Sequence, residues 1–130
     1  MIRDINGDGR LDLAIGEKTA DGIGSITIYI NASRNPGNCA NLHLRMDSPN
    51  PYAVGTLVEV WKAGALGTVG ARPLRVERAH ADATPIHVGL GQATHMDLRV
   101  TFPGKKALEM KTVAARENIT LRPDGSQSAR

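Results

Sequence analysis

Short runs of apolar residues alternate with polar residues along most of this chain, and turn-forming residues separate the runs. A period of two is typical of strands that bury one face, and no segment has the three-to-four-residue spacing of an amphipathic helix. The pattern therefore predicts an all-β fold, either an antiparallel β-sandwich or an open barrel, preceded by a β-hairpin. The predicted strands are 11–16, 25–30, 42–46, 57–61, 74–78, 86–90, 96–102, 107–111 and 118–121.

Alternation also predicts which side chains fill the core. It is clearest in the last long strand, where four apolar side chains share a face: Met96, Leu98, Val100 and Phe102. Leu74 and Val76 likewise share one face of their strand, with Arg75 and Glu77 on the other. We expect the apolar face of each strand to point inward.

Turn residues predict how the chain divides. Asn, Pro and Gly gather just before residue 38, which predicts a hairpin unit over 1–38 and a sandwich over 39–122. The polar residues 123–130 predict a disordered tail.

Composition excludes several classes of protein. The 130 residues suffice for one main core, and with only 3% aromatic residues the core must be largely aliphatic around Trp61. The net charge of +3 comes from dispersed basic residues, so no nucleic-acid partner is expected. One cysteine excludes an internal disulfide, and no apolar run is long enough for a membrane span.

The segment "DINGDGRLD" near the amino end predicts a metal site. Asp4, Asn6, Asp8 and Asp12 carry side-chain oxygens, and the Arg10 carbonyl adds a backbone oxygen. Ca²⁺ prefers such a set of oxygen ligands around a glycine-containing turn. These five residues are the predicted calcium ligands, and a bound Ca²⁺ is expected to brace the turn that leads into the first long strand.

An EF-hand and a turn that binds no metal are the two other interpretations of this loop. The helical EF-hand loop requires a glutamate at its twelfth position, but that position is Ile15 here, which excludes an EF-hand. Asp, Asn and Gly also form turns that bind no metal. Three carboxylates within nine positions would repel one another without a cation between them, which favours calcium.

This loop, together with "LDLAIG" and "SITIYIN", resembles one repeat of the FG-GAP/VCBS family. In that family an acidic calcium loop leads into a strand of a β-propeller blade. The resemblance implies that the chain is the carboxyl-terminal part of a larger propeller-type protein.

Three motifs in the rest of the chain resemble the ASPIC/UnbV domain, which commonly follows such repeats in secreted proteins. They are Asn50 with Gly55, Gly89-Leu90-Gly91, and Phe102-Pro103-Gly104. The resemblance implies a binding module located outside the cell, in the periplasm or at the cell surface, with its signal peptide outside this chain.

No residue pattern predicts catalysis. The four histidines, His43, His80, His87 and His95, have no metal-ligand spacing and are expected to be solvated. No serine lies in a Gly-x-Ser-x-Gly motif, and a calcium ion enclosed by oxygens would leave little room for a substrate. We therefore expect a non-enzymatic protein; metal-assisted hydrolysis at the acidic loop is the catalytic alternative.

The expected function is recognition or assembly, with a protein or a glycan as ligand. Carbohydrate binding is the main alternative, with Tyr52 as the exposed aromatic residue and Trp61 assigned to the core. The hairpin over residues 11–30 has an open edge, so we expect it to pack on the sandwich or to form a homodimer. Asn31 and Asn118 lie in glycosylation sequons, which have meaning only on a eukaryotic secretory route.

Overall fold

The structure is a computed structural model that describes residues 1–34, 37–81, 83–115 and 118–129. The chain divides into two compact units, residues 1–36 and 37–130. The described residues form strands and turns and contain no helix. The predicted all-β class is confirmed.

The first unit is a three-stranded antiparallel sheet. Its strands are β1 (Ile2–Arg3), β2 (Asp12–Lys18) and β3 (Gly24–Tyr29), in the order β1-β2-β3. The predicted hairpin corresponds to β2 and β3, whereas β1 was not predicted because two residues are too few to show an alternation.

The second unit contains two four-stranded sheets. One has the order β11-β10-β4-β7 and the other β6-β5-β8-β9. The strands are β4 (Asn38–Leu44), β5 (Leu57–Lys62), β6 (Arg75–Arg78), β7 (Ile86–Gly91), β8 (His95–Thr101), β9 (Leu108–Ala114), β10 (Asn118–Leu121) and β11 (Gln127–Ala129).

One apolar cluster joins the inner faces of these two sheets, which makes the unit a sandwich rather than an open barrel. Leu42 and Leu121 of the first sheet belong to the same cluster as Val60 and Leu98 of the second. The four side chains predicted to lie inward in 96–102 are all buried there. The outer faces of the two sheets carry most of the polar side chains of the strands, and some of these, such as Asp97, are themselves buried.

The pairing of β10 with β4 differs from the predicted antiparallel arrangement. These strands run parallel, with Asn118 beside Asn41 and Thr120 beside His43. All the other strand pairs of the two sheets are antiparallel over the described residues. Local sequence patterns do not reveal the direction in which two distant strands pair.

Two sequence expectations about the sandwich are wrong. Residues 123–130 were predicted to be disordered, but Gln127–Ala129 pairs with β10 after a turn that contains Gly125. Leu74 and Val76 are 66% and 54% exposed because β6 is an edge strand whose register pairs Val76 with Glu59 on the outer face.

Asp97 stabilises the second sheet from its outer face. Its carboxylate is fully buried and accepts backbone N–H groups of Gly64 at 2.9 Å, Leu66 at 3.3 Å and Thr112 at 2.8 Å. Burial alone would raise the pKa of Asp97, but these three donors outweigh it and hold the pKa below its usual value. Thr112 has a φ of 56°, next to an irregularity in the β8–β9 register. Asp97 therefore stabilises both a loop and a distorted strand.

We expect Asp97→Ala to lower the free energy of unfolding of the second unit by about 3 kcal/mol, because it leaves buried N–H donors without an acceptor. Urea unfolding followed by Trp61 fluorescence measures this change. Asp47→Ala, an exposed site with the same loss of charge, is the control and should have little effect. Equal destabilisation by the two variants would contradict the assigned role of Asp97.

Candidate functional site

The amino-terminal loop curls around the carboxylate of Asp4. One oxygen of Asp4 accepts the N–H groups of Gly7 at 2.8 Å and Asp8 at 3.1 Å, and the other accepts that of Gly9 at 3.0 Å. Gly7 and Gly9 both have positive φ angles, near 80°, which allow the chain to turn this tightly. Asp4 therefore determines the conformation of the loop between β1 and β2.

Asp8 already has a cationic partner within the loop. Its carboxylate forms an ion pair with the guanidinium of Arg10 and accepts the Arg10 backbone N–H at 3.0 Å. It also accepts the side-chain amide of Asn6 at 2.8 Å, and this bond, followed by the bonds to Arg10, holds the pKa of Asp8 below its usual value. Arg10 extends further to the Ser33 carbonyl, so its guanidinium bridges the loop and the segment after β3.

Asp12 is the most buried member of the loop. Its side chain is 1% exposed, and its two oxygens accept the N–H groups of Ile5 at 2.9 Å and Asn31 at 2.8 Å. The bonds from Asn31 and then Ile5 hold the pKa of Asp12 below its usual value. Asp12 thus connects the beginning of the loop to the end of β3.

The predicted calcium ligands fit the ion by chemistry, but in this structure their oxygens point to protein donors. Asp4, Asn6, Asp8, the Arg10 carbonyl and Asp12 all lie in one loop and are the hard oxygen donors that Ca²⁺ takes. Each carboxylate has about four lone-pair sites, and the bonds above leave some of these open. Among the described residues, no group of three or more His, Cys, Asp or Glu side chains is arranged to hold a metal ion.

The motif residues of the second unit lie at turns and at the end of β7. The side chain of Asn50 closes one of them, because its oxygen accepts the Val54 N–H at 2.9 Å and its nitrogen donates to the Val54 carbonyl at 3.0 Å. Gly55 follows with a φ of 87°. Gly91 has a φ of 58° and faces Gly37, where an added Cβ would lie 2.9 Å from the Gly91 carbonyl oxygen.

A family model described as ASPIC and UnbV matches residues 46–128. The chain belongs to this family. Comparison with curated proteins and with solved structures gives no match. The ASPIC and UnbV match ends within β11, so the terminal hairpin that was predicted to be disordered is part of the matched region.

The four histidines each have a neutral or solvent-exposed environment. His43 contacts Asn118 at 3.0 Å and His87 contacts Asn41 at 2.8 Å, both on the outer face of the sheet that contains β4. His95 contacts the Thr94 hydroxyl at the start of β8, and His80 is exposed. These contacts connect histidines to neutral side chains rather than to acidic ones.

The two aromatic residues singled out in the sequence have different environments. Tyr52 is 49% exposed, as predicted, but the Arg45 guanidinium lies over its ring at 5.2 Å from the centroid. Trp61 is buried, yet it lies outside the apolar cluster and beneath the guanidinium of Arg99, 5.6 Å from the ring centroid. The expectation of a buried rather than an exposed Trp61 is therefore confirmed, although Val60, its neighbour in β5, and not Trp61 belongs to the cluster between the sheets.

Sequence reasoning missed two grooves that meet at Arg122. One, of about 490 Å³, lies between the 46–50 turn and the 122–124 turn and includes Lys105. The other, of about 480 Å³, is lined by His43, Arg45, Asn118, Thr120, Arg122 and Ser128. The alternating polar residues of β4 and β10 could have revealed the second groove. This would have required knowing that the two strands pair in parallel.

No helix within the described residues is long and apolar enough to cross a membrane.

We expect Asp12 to titrate below the usual aspartate pKa of about 3.9, because its ionised form accepts two backbone N–H groups. When the pKa of an aspartate is lower in the folded state than in the unfolded state, its ionised form stabilises the fold at every pH above the unfolded-state pKa. That stabilisation is lost as the pH falls through the folded-state pKa. The first unit should therefore be most stable above about pH 5 and weaken below about pH 4. An NMR titration of the Asp12 carboxyl carbon and the Asn31 amide measures the midpoint. A midpoint at or above the usual aspartate value of about 3.9 would refute this assignment.

Proposed function

We propose that this chain is a non-catalytic, calcium-binding module for recognition or assembly, and that it acts outside the cell, in the periplasm or at the cell surface. The observation that carries the proposal is the set of five oxygen donors in one nine-residue loop, Asp4 to Asp12. The resemblance of this loop and its hairpin to an FG-GAP/VCBS repeat supports it. On this proposal the chain is the carboxyl-terminal part of a larger propeller-type protein, in which the ASPIC and UnbV domain follows the last repeat.

The charges of the loop explain why a divalent cation would stabilise it. Asp4, Asp8 and Asp12 bring three negative charges, and Arg10 supplies one positive charge through its ion pair with Asp8. A net negative charge therefore remains within a single turn. Ca²⁺ held by the oxygens of these residues would compensate that charge and brace the turn into β2.

The Arg10 side chain competes with calcium in this proposal. Its guanidinium occupies one oxygen of Asp8, while the expected calcium ligand on Arg10 is its backbone carbonyl. Replacing the side chain therefore removes a competing cation and keeps the ligand. The same replacement would have no effect on calcium if the loop were simply a turn that binds no metal.

We expect EDTA-treated protein to take up Ca²⁺ with measurable heat and to gain about 2.7 kcal/mol of stability when free calcium is about a hundredfold above the Kd. Asp8→Asn should weaken binding by about tenfold because a charged ligand becomes neutral. Arg10→Gln should strengthen binding. Isothermal titration calorimetry and melting temperature are the measurements.

The matched control for Asp8→Asn is Asp21→Asn, which changes an aspartate in the other turn of the same unit, where it accepts the Thr19 hydroxyl. It should leave calcium affinity unchanged. If calcium addition produces no heat of binding and no rise in melting temperature, the proposal is overturned. Hydrolase activity that Asp8→Ala abolishes would overturn its non-catalytic part.

The first unit also has the surface expected of an assembly element. Leu13 and Tyr29 pair across β2 and β3 on one face, while Ile26 and Ile28 lie on the other and are 75% and 52% exposed. A three-stranded sheet with apolar side chains on both faces is marginal when both are solvated. β3 is in addition an edge strand with free hydrogen-bonding groups. We therefore propose a second copy of this chain as its partner.

Sedimentation velocity over a range of concentrations should show a monomer–dimer equilibrium. Ile28→Lys should shift this equilibrium towards the monomer, because it introduces a charge in the middle of an apolar face. Ile23→Lys changes an exposed isoleucine in the preceding turn and should leave the equilibrium unchanged. A monomer at all concentrations would contradict the proposed self-association, and so would equal effects of the two variants.

A further inference from the structure

A basic groove lies on the outer face of the sheet β11-β10-β4-β7. Ile119 and Leu121 of β10 point into the core, so Asn118 and Thr120 lie on the opposite face. The parallel register brings Thr120 beside His43, and Ser128 of β11 lies on its other side. This groove of about 480 Å³ is lined by His43, Arg45, Asn118, Thr120, Arg122 and Ser128. We call it the basic groove.

The charge of the basic groove is one-sided. Its described lining includes two arginines, Arg45 and Arg122, and no aspartate or glutamate. Asp47 and Asp124, each two residues from one of these arginines, line the neighbouring groove on the other side of Arg122. Glu117, next to Asn118 in sequence, lies outside the described residues. A concave surface with one sign of charge favours a ligand of the opposite sign.

Arg45 is held in position before any ligand arrives. Its guanidinium lies over Tyr52 at 5.2 Å from the ring centroid, and one of its nitrogens donates to the Leu44 carbonyl at 3.0 Å. A guanidinium has five N–H donors, and the Leu44 carbonyl takes only one of them. A side chain that is already ordered loses less conformational entropy when it binds. Tyr52 therefore orients Arg45, and its ring face is not free to stack on a ligand.

Neutral hydrogen-bonding groups complete the groove. The side-chain oxygen of Asn118 is taken by His43 at 3.0 Å, which leaves the amide NH₂ group of Asn118 to donate elsewhere. Thr120 and Ser128 are paired across β10 and β11, so their hydroxyls lie side by side in the groove. Two guanidinium groups together with amide and hydroxyl donors match an anion that has several oxygens and more than one charge.

We propose that the basic groove binds a tetrahedral oxyanion, a sulfate or phosphate group, through Arg45 and Arg122. This group could be a free ion or an ester on a sugar, and both present the same oxygens. The calcium loop lies in the other unit, so this proposal does not depend on the proposed calcium binding.

The test is a ¹⁵N NMR titration of the full chain with sodium sulfate and sodium phosphate, with chloride and acetate at the same ionic strength as comparison salts. We expect saturable shifts of the Asn118, Thr120 and Arg122 amides with sulfate and phosphate only. Arg122→Gln and Arg45→Gln should each weaken binding by about tenfold, the effect of losing one charged hydrogen-bonding group. Arg72→Gln, with the same charge change at an exposed site outside the groove, should leave the affinity unchanged.

The spectrum of each variant also reports whether it folds. Where a glutamine variant does not fold, the lysine variant at the same position keeps the charge, loses the planar fork, and should also weaken sulfate binding. Tighter binding of a sulfated disaccharide than of sulfate would identify a sugar ester as the ligand, and equal binding would identify the free ion. Identical shifts with chloride, or an equal loss of affinity in Arg72→Gln, would overturn the proposal.

Discussion

Buried backbone N–H groups need acceptors, and in this protein aspartate side chains meet that need at the places on which the rest of the structure depends. Asp97 accepts three N–H groups on the outer face of its sheet, and Asp12 accepts two in the amino-terminal unit. A fold built from short strands has many loop N–H groups outside its ladders. Carboxylates that accept several of them stabilise loops that have little apolar surface of their own.

In the first loop, the carboxylates that accept backbone N–H groups are also the predicted calcium ligands. Asp4 and Asp12 hold the backbone with the oxygens that a calcium ion would need, and Asp8 is neutralised by Arg10. Acidic residues can therefore serve a turn and a cation at once only if each oxygen keeps a lone pair for the metal. Whether the loop binds calcium depends on this competition within the loop rather than on the number of its carboxylates.

The sequence predicted those features that depend on local alternation. Met96, Leu98, Val100 and Phe102 are buried as expected. Successive side chains of a strand point to opposite faces whichever strand it pairs with, so the sequence alone reveals this face. Leu74 and Val76 were assigned to the wrong environment, since the position of β6 at a sheet edge depends on pairing between distant segments. Asp97 was missed for a related reason. The N–H groups that donate to its carboxylate belong to a loop and a strand that only the folded chain brings beside it.

The basic groove depends on the one parallel strand pair that the described residues contain. Antiparallel pairing of β4 with β10 would reverse the order of β10, so that Arg122 would follow the end of β10 nearer the start of β4 rather than lie beside Arg45. Parallel pairing continues past both strands, as the Arg45 N–H bonds to the Leu121 carbonyl at 3.0 Å. Two arginines that are far apart in the sequence thereby meet at the same end of one sheet. Their shared charge results from the topology, so the dispersed basic residues of the sequence do not reveal it.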